Sequence, residues 1–365
     1  MRKIAFFVIF MLLFCLNVQA QDTYTEQYQA GKVEEIYDLL DNESAEVIDR
    51  MQIDISDADW VNKIEPENIF KEIWGFLKDG MKTPLKCGLG MLAVIILIAV
   101  AGTFEGFKPF TAAASYIFVL SALSSVLLPL FSLIEACGSA IKGVSTLMLG
   151  FIPVYTGILT VAGQGITASG MSFLMLGASG AVSNFASFAV VPLMSCYLGV
   201  GMVSSITETA GSNRLGELIK KVAMWSLSFI LTVFIGILSI QTSVNAAADN
   251  LGLKTARFLI GSFIPVAGGA LSESLTTFMG SMKLLKSSVG MFGVVGVGVT
   301  VLPIIIELLI WRITLFLLDA ACELFGIRLK TDILKAADCV LAVLVGVLLF
   351  ISALFIISLA IIAGR

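Results

Sequence analysis

Two charged residues lie inside a long, largely apolar stretch near the end of the chain. Glu307 and Arg312 interrupt the run 304–317. A charge buried alone in hydrocarbon is costly, so each side chain should face protein or water and find a partner from another segment. The two residues are five positions apart and do not share one face of a helix. We predict that both are intramembrane functional charges.

A serine motif raises the possibility of hydrolysis, but the composition excludes it. Residues 177–180 read Gly-Ala-Ser-Gly, the pattern of intramembrane serine proteases. Those enzymes need a base to deprotonate the serine, and this chain contains no histidine. No phosphate loop, zinc motif or dinucleotide fingerprint occurs either. We therefore expect no catalytic residue, no cofactor and no metal site, and interpret 177–180 as a small-residue packing face.

A motif containing proline and glycine occurs twice, 112 positions apart. Residues 151–157 read Phe-Ile-Pro-Val-Tyr-Thr-Gly, and 263–269 read Phe-Ile-Pro-Val-Ala-Gly-Gly. Proline removes a backbone donor and glycine permits tight turns. Broken helices at matching positions of two repeats indicate a transport site, although such residues also simply kink and pack helices. The candidate functional hairpin residues are Pro153, Gly157, Pro265 and Gly269.

A second proline follows each copy of the motif. Pro192 and Pro303 are 111 positions apart, and an apolar stretch with a central glycine comes next in both halves. Landmarks in the same order at nearly constant spacing indicate an internal duplication. The two repeat units are about 142–253 and 254–363. Glycines crowd the second unit between 290 and 298, which favours close helix contact there.

The composition is that of a membrane protein. Hydrophobic residues make up 58% of the chain and charged residues 14%, and the mean hydropathy is +0.96. A soluble domain would be about one quarter charged. The apolar residues form runs of about 20, the length that crosses a bilayer. Six cysteines form no C-x-x-C pair and are interpreted as buried hydrophobes. We predict an all-α, polytopic integral membrane protein.

The N-terminal part of the chain has a different character. Residues 1–20 combine a basic end, an apolar core and an A-x-A-like site, which predicts a signal peptide; an uncleaved anchor is the alternative. Residues 21–84 hold 16 acidic and six basic side chains, and both alternatives place them outside the cytoplasm. Residues 85–365 then form the transmembrane domain.

The outer segment is predicted to contain two helices. The first has one apolar face, and the second begins at Pro66 and runs directly into the first span at Leu85. Its apolar stripe either lies at the membrane surface, binds a partner helix or packs on its own neighbour. The first face consists of Val33, Ile36, Leu39 and Leu40, and the stripe of Ile69, Phe70, Ile73, Trp74 and Leu77.

Charge placement predicts the topology. The basic stretches 214–221 and 328–335 should both be cytoplasmic, with the spans 222–244 and 290–318 between them. The motif segment between those spans must then enter and leave from the outer side as a re-entrant hairpin, buried in protein or lining a wet cavity. Extended to both repeats, this predicts about six full spans and two re-entrant hairpins, with both units in one orientation.

The order of these features resembles the stage III sporulation protein AE family. The resemblance rests on the signal peptide, the acidic outer segment and the duplicated F-I-P-V-x-x-G motif. It implies a multi-pass protein of the mother-cell membrane surrounding the forespore. It also implies a channel-like complex with other stage III sporulation operon proteins and stage II sporulation protein Q. No catalytic residue follows from the resemblance.

The sequence therefore predicts a non-enzymatic membrane subunit of a sporulation channel or secretion-like complex, with a permease-like role within it, and no nucleic-acid partner. The alternative is a stand-alone secondary transporter with its substrate site between the two repeats. An intramembrane enzyme is the third class, and the missing histidine argues against it.

Overall fold

The structure is a computed structural model, and its described part is helical throughout, with no strand. This confirms the predicted all-α class. The predicted signal peptide 1–20, Pro265 and most of the basic stretch 214–221 lie outside the described residues. Gly269 lies inside, at the start of a helix. The described residues are 28, 33–57, 60–102, 111–185, 190–207, 268–325 and 332–363, with scattered positions between 218 and 244.

Three short helices form the N-terminal segment. A 3-10 helix, Val33–Leu39, is followed by α1, Asn42–Arg50, and α2, Trp60–Lys63. Glu43 in the first turn of α1 and Arg50 in its last turn complement the helix dipole.

Helix α1 ends at a residue with a left-handed backbone. Gln52 has φ 54°, its N–H bonds to Asp49 O, and Ile53 N–H bonds to Ile48 O. The two bonds form a Schellman motif, in which the left-handed position is usually glycine. The backbone of Gln52 is therefore strained by its Cβ.

Long apolar helices dominate the rest of the described chain. Helix α3 is Pro66–Gly102; α4, Thr111–Ala122, continues through a π-helical turn, Leu123–Leu127, into α5, Leu128–Val161. Helix α6 is Gly165–Phe185, and α7 is Val191–Thr207. Helix α8 is Gly268–Leu324, and α9 is Asp332–Ala363.

Within the described residues, four helical stretches are long and apolar enough to cross a membrane. They lie in α3, in α4 continued by α5, in α8 and in α9, and a shorter apolar helix covers Ser228–Gln241. A multi-pass membrane protein is therefore confirmed by helix length and composition.

Two of the predicted boundaries between spans are wrong. The sequence predicts one span at 112–136 and a separate, motif-bearing segment at 142–165, but helix continues from Thr111 to Val161. The span predicted at 290–318 lies within the candidate span Lys283–Leu324, but its predicted start is wrong, because α8 already begins at Gly268. The short links 137–141 and 287–289 contain no proline. Backbone hydrogen bonding can therefore continue through both links.

Helix α8 packs against α3, α5 and α9. It runs parallel to α3: a Cβ added at Gly80 would lie 3.5 Å from Glu307 Cα, and one added at Gly88 would lie 2.6 Å from Thr314 Cγ2. Glycine at these positions lets the two backbones approach closely.

Helices α5 and α9 run antiparallel to α8 and meet it at one glycine. A Cβ added at Gly293 would lie 2.5 Å from Leu359 Cδ1 and 2.9 Å from Phe151 Cζ. The Phe151 ring packs edge-on against Phe355 of α9, with the ring centres 5.4 Å apart. The absence of a side chain at Gly293 therefore allows α5, α8 and α9 to share one core.

Candidate functional site

The N-terminal segment lies directly on the helical bundle. Trp60 Nε1 donates to Ser288 Oγ over 2.6 Å, and the Tyr37 and Phe292 rings lie 5.0 Å apart. Ser44 and Thr300 share a hydrogen bond of 3.2 Å. The segment therefore follows α8 over about three turns, and the predicted boundary at residue 84 falls inside α3.

Glycines on α5 and α8 provide the room for this contact. A Cβ at Gly150 would lie 1.8 Å from Leu39 Cδ1, and one at Gly296 would lie 3.5 Å from Leu40 Cδ2. The four residues predicted to form one apolar face of the first helix all pack on the core: Val33 and Ile36 are fully buried, while Leu39 and Leu40 are partly buried.

Polar contacts also hold the N-terminal segment in place, both on α3 and within itself. Arg50 binds Glu72 of α3 through two hydrogen bonds, of 3.0 and 3.1 Å. The Tyr37 hydroxyl donates to Ile53 O. Burial, followed by the charge of Asp54, raises the pKa of Tyr37 to about 12. Tyr37 is therefore neutral at physiological pH and links the 3-10 helix to the chain after α1.

The first predicted hairpin is not broken at its motif; instead, α5 and α6 form a helix–turn–helix pair. Helix α5 continues through Pro153, which is exposed, to Val161. The turn comes later, where Gly163 has φ 75°, Gly163 N–H bonds to Thr160 O and Gln164 N–H bonds to Leu159 O. This is a second Schellman motif, here with the expected glycine.

The matching residues of the predicted second repeat fold differently. Residues 163–165 read Gly-Gln-Gly, whereas 275–277, the positions 112 further on, read Leu-Thr-Thr and lie within α8. Without glycine, the left-handed position that turns the chain after α5 is disfavoured there. Among the described residues, no such turn occurs at the matching positions of the second half.

The turn is attached to α8 by a buried lysine. Lys286 is 3% exposed, and its Nζ donates to Gln164 Oε1 over 2.6 Å. The Tyr155 hydroxyl of α5 donates to Lys286 O over 3.2 Å. Between α5 and α6, Thr156 and Ser172 share a hydrogen bond of 2.6 Å. Together these bonds hold the α5–α6 hairpin against α8.

The other motif residues have mainly a packing role. Phe151, Val154 and Tyr155 are buried, and Gly157 is half-buried within the uninterrupted helix. In the serine motif, Ser179 donates to Ser145 O over 3.1 Å and is buried. The interpretation of 177–180 as a small-residue packing face holds for Ala178 and Ser179, which are buried, but not for Gly177 and Gly180, where an added Cβ would meet no heavy atom within 4 Å.

The two predicted intramembrane charges, Glu307 and Arg312, have different surroundings in the structure. Arg312 Nε donates to Asp338 Oδ1 of α9 over 2.7 Å, so this charge has the partner from another segment that the sequence required. Asp338 itself was missed; its place near the start of the last apolar run was the available signal. Glu307 lies on the side of α8 that faces α3.

Glu307 lines a polar cavity of about 760 Å³ beneath α1, here named the acidic cavity. Helices α1, α3, α5 and α8 all contribute to it. Among the described residues, no group of three cysteine or acidic side chains is arranged to hold a metal ion. The charged lining residues are Asp41, Glu43, Glu46, Arg50, Asp79 and Glu307.

These features define a class of protein: a multi-pass α-helical membrane protein whose acidic N-terminal segment is docked on its transmembrane bundle. A family model for stage III sporulation protein AE matches residues 55–365. The chain therefore belongs to the stage III sporulation protein AE family.

A characterised relative supports this assignment over a shorter region. Stage III sporulation protein AE of Bacillus subtilis (strain 168) is 30% identical over 155 residues, which cover 42% of this chain and 39% of the relative. The match thus spans less than half of the relative's length. No solved structure matches the chain.

Proposed function

We propose that the chain is a non-enzymatic membrane subunit of a channel or secretion-like complex linking mother cell and forespore. Its family and its four apolar helices support a sporulation membrane subunit. The subunit would lie in the mother-cell membrane around the forespore, with 21–84 outside the mother-cell cytoplasm. Its partners would be other stage III sporulation operon proteins and stage II sporulation protein Q.

The observation that carries the proposal is an uncovered apolar surface on α3, here named the α3 patch. Phe70 is 70% exposed and Trp74 53% exposed, and Ile69 and Ile73 lie beside them with 38% and 39%. The docked N-terminal segment leaves all four accessible, so the alternative in which this stripe packs on its own neighbour is wrong. Contiguous exposed apolar side chains rimmed by charges are typical of an interaction site.

A co-purification experiment tests the α3 patch. Affinity-tagged chains are isolated from sporulating cells, and the proteins that accompany them are compared between the wild type and the double variant Phe70→Ser, Trp74→Ser. Large exposed aromatic side chains dominate protein interfaces, so the double variant should lose its operon partners. Phe316→Ser is the control, because Phe316 is 71% exposed on α8, outside the patch. Equal recovery of partners with all three chains would contradict the proposal.

We also propose that the α5–α6 hairpin provides the permease-like part of the subunit, with Pro153 and Gly157 on its first arm. Its attachment to α8 through Lys286 supports this role, because a fixed hairpin can present its residues at a defined depth. Gly157→Asp should therefore reduce the number of spores more than Leu120→Asp, which lies in the 112–136 stretch. An equal reduction by both variants would contradict the proposed role of the hairpin. Gly269→Asp tests the second motif in the same way.

The acidic cavity favours a second candidate, a stand-alone secondary transporter. A polar space of about 760 Å³ that contains Glu307 is large enough for a small solute. The purified chain alone in liposomes should then transport a solute, and Glu307→Gln should abolish this. A complex subunit should instead be inactive alone and require its partners.

A further inference from the structure

The structure contains an apolar cleft that neither the family nor the proposed function accounts for. It has a volume of about 310 Å³ and lies between α6, the Ser228–Gln241 helix and α9. Small residues on α6 open it: Gly177, Ala178 and Ala181 form one wall. No lining residue belongs to α5 or α8, on which the N-terminal segment is docked.

We propose that this cleft binds one acyl chain of a membrane phospholipid. Every lining side chain is apolar, so a polar occupant would lose its hydrogen bonds to water without replacement. The polar residue of the serine motif, Ser179, is turned away and bonded to Ser145 O. The chemistry of the lining therefore selects a hydrocarbon.

The position of the cleft indicates where that hydrocarbon comes from. The lining residues of α9, between Val347 and Leu354, lie near the middle of the candidate span Ile333–Ala360. At the middle of a membrane-spanning helix the surrounding solvent is lipid acyl chains. A phospholipid therefore needs only to place one tail sideways into the cleft, while its headgroup stays outside.

The size and openness of the cleft fit a single chain. Its volume is about twice that of an apolar cavity of ~150 Å³ that holds benzene. The floor is closed, since Val347 is 1% exposed and Ala178 6%, whereas Phe173 at 74% and Phe229 at 58% border the mouth.

Cross-linking in the wild-type chain gives the first test. The full chain is reconstituted in phosphatidylethanolamine–phosphatidylglycerol vesicles with a trace of phospholipid that carries a diazirine at mid-chain. Labelling should concentrate at Phe173, Phe229 and Phe350, several-fold above Phe316. Phe316 is the matched control because its exposure, 71%, is close to the 74% of Phe173. Equal labelling of Phe173 and Phe316 would show that lipid only coats the surface and would overturn the proposal.

Two glycine variants give the second test. A Cβ added at Gly177 or at Gly180 meets no heavy atom within 4 Å, so neither position is obstructed at Cβ, but only Gly177 lines the cleft. Native mass spectrometry of detergent-purified chains should find one retained phospholipid on the wild type and on Gly180→Leu, and none on Gly177→Leu. Thermal unfolding checks that both variants are folded. Retention by Gly177→Leu, or an adduct with the mass of a free fatty acid, refutes the phospholipid assignment.

Discussion

Adding one methyl group at Gly293 should destabilise the bundle, whereas adding one at Gly298 should stabilise it. Both glycines lie on α8. A Cβ at Gly293 would lie 2.5 Å from Leu359 Cδ1 and 2.9 and 3.0 Å from the Phe151 ring, whereas a Cβ at Gly298 meets nothing within 4 Å. Gly298→Ala should gain about 1 kcal/mol in helix propensity. Gly293→Ala gains the same but loses about 1–3 kcal/mol to overpacking.

The difference between the two variants isolates packing, because helix propensity is common to both. It should be about 1–3 kcal/mol, with Gly293→Ala the less stable. Thermal unfolding in detergent, followed by the fluorescence of the four tryptophans, of which Trp311 is 1% exposed, measures this difference. For domains of 150–250 residues about 1 kcal/mol corresponds to 2–4 °C, so a difference of several degrees is expected. Equal melting temperatures, or a lower one for Gly298→Ala, would refute the close contact of α5, α8 and α9.

Three further predictions concern the N-terminal segment and the ion pair. Gln52→Gly should raise the melting temperature, by about 1 kcal/mol in stability, because it relieves the left-handed backbone at φ 54°; an unchanged or lower value would contradict the Schellman geometry. The wild type should lose stability as pH rises from 10 through about 12, because Tyr37 ionises more readily when unfolded than when folded. Tyr37→Phe should remove this step in a pH series of melting curves, and its persistence would exclude Tyr37. Asp338→Asn should cost less than about 1 kcal/mol by thermal unfolding, because the Arg312–Asp338 pair is 35% and 40% exposed; a much larger loss would indicate a fully desolvated pair.

Composition and periodicity predicted the helical membrane class because both depend on local properties of the chain. Runs of apolar residues require helices in lipid, and the stripe on α3 was visible at helical spacing. The boundaries predicted between helical segments at 137–141 and 287–289 are wrong, because these links contain small and polar residues but no proline. Such residues do not interrupt a helix unless a proline or a left-handed glycine accompanies them, as Gly163 does after α5.

The candidate site was predictable only in part. Charge burial required a partner for Arg312, but nothing in the spacing identified Asp338, 26 positions away. The docking of the N-terminal segment depends on contacts such as Trp60 with Ser288, 228 positions apart. No periodic pattern reports a contact between such distant residues. The glycines between 290 and 298 predicted close helix contact but did not identify the segment that makes it.

The docked N-terminal segment has a consequence for the order of events during synthesis. Its contact surface is completed only after α8 has been made, because Trp60 binds Ser288, 228 residues further along the chain. At about 5–20 residues per second the ribosome needs roughly 10–45 s to cover that interval. During that time the Trp60 side of the N-terminal segment lacks the partner that buries it.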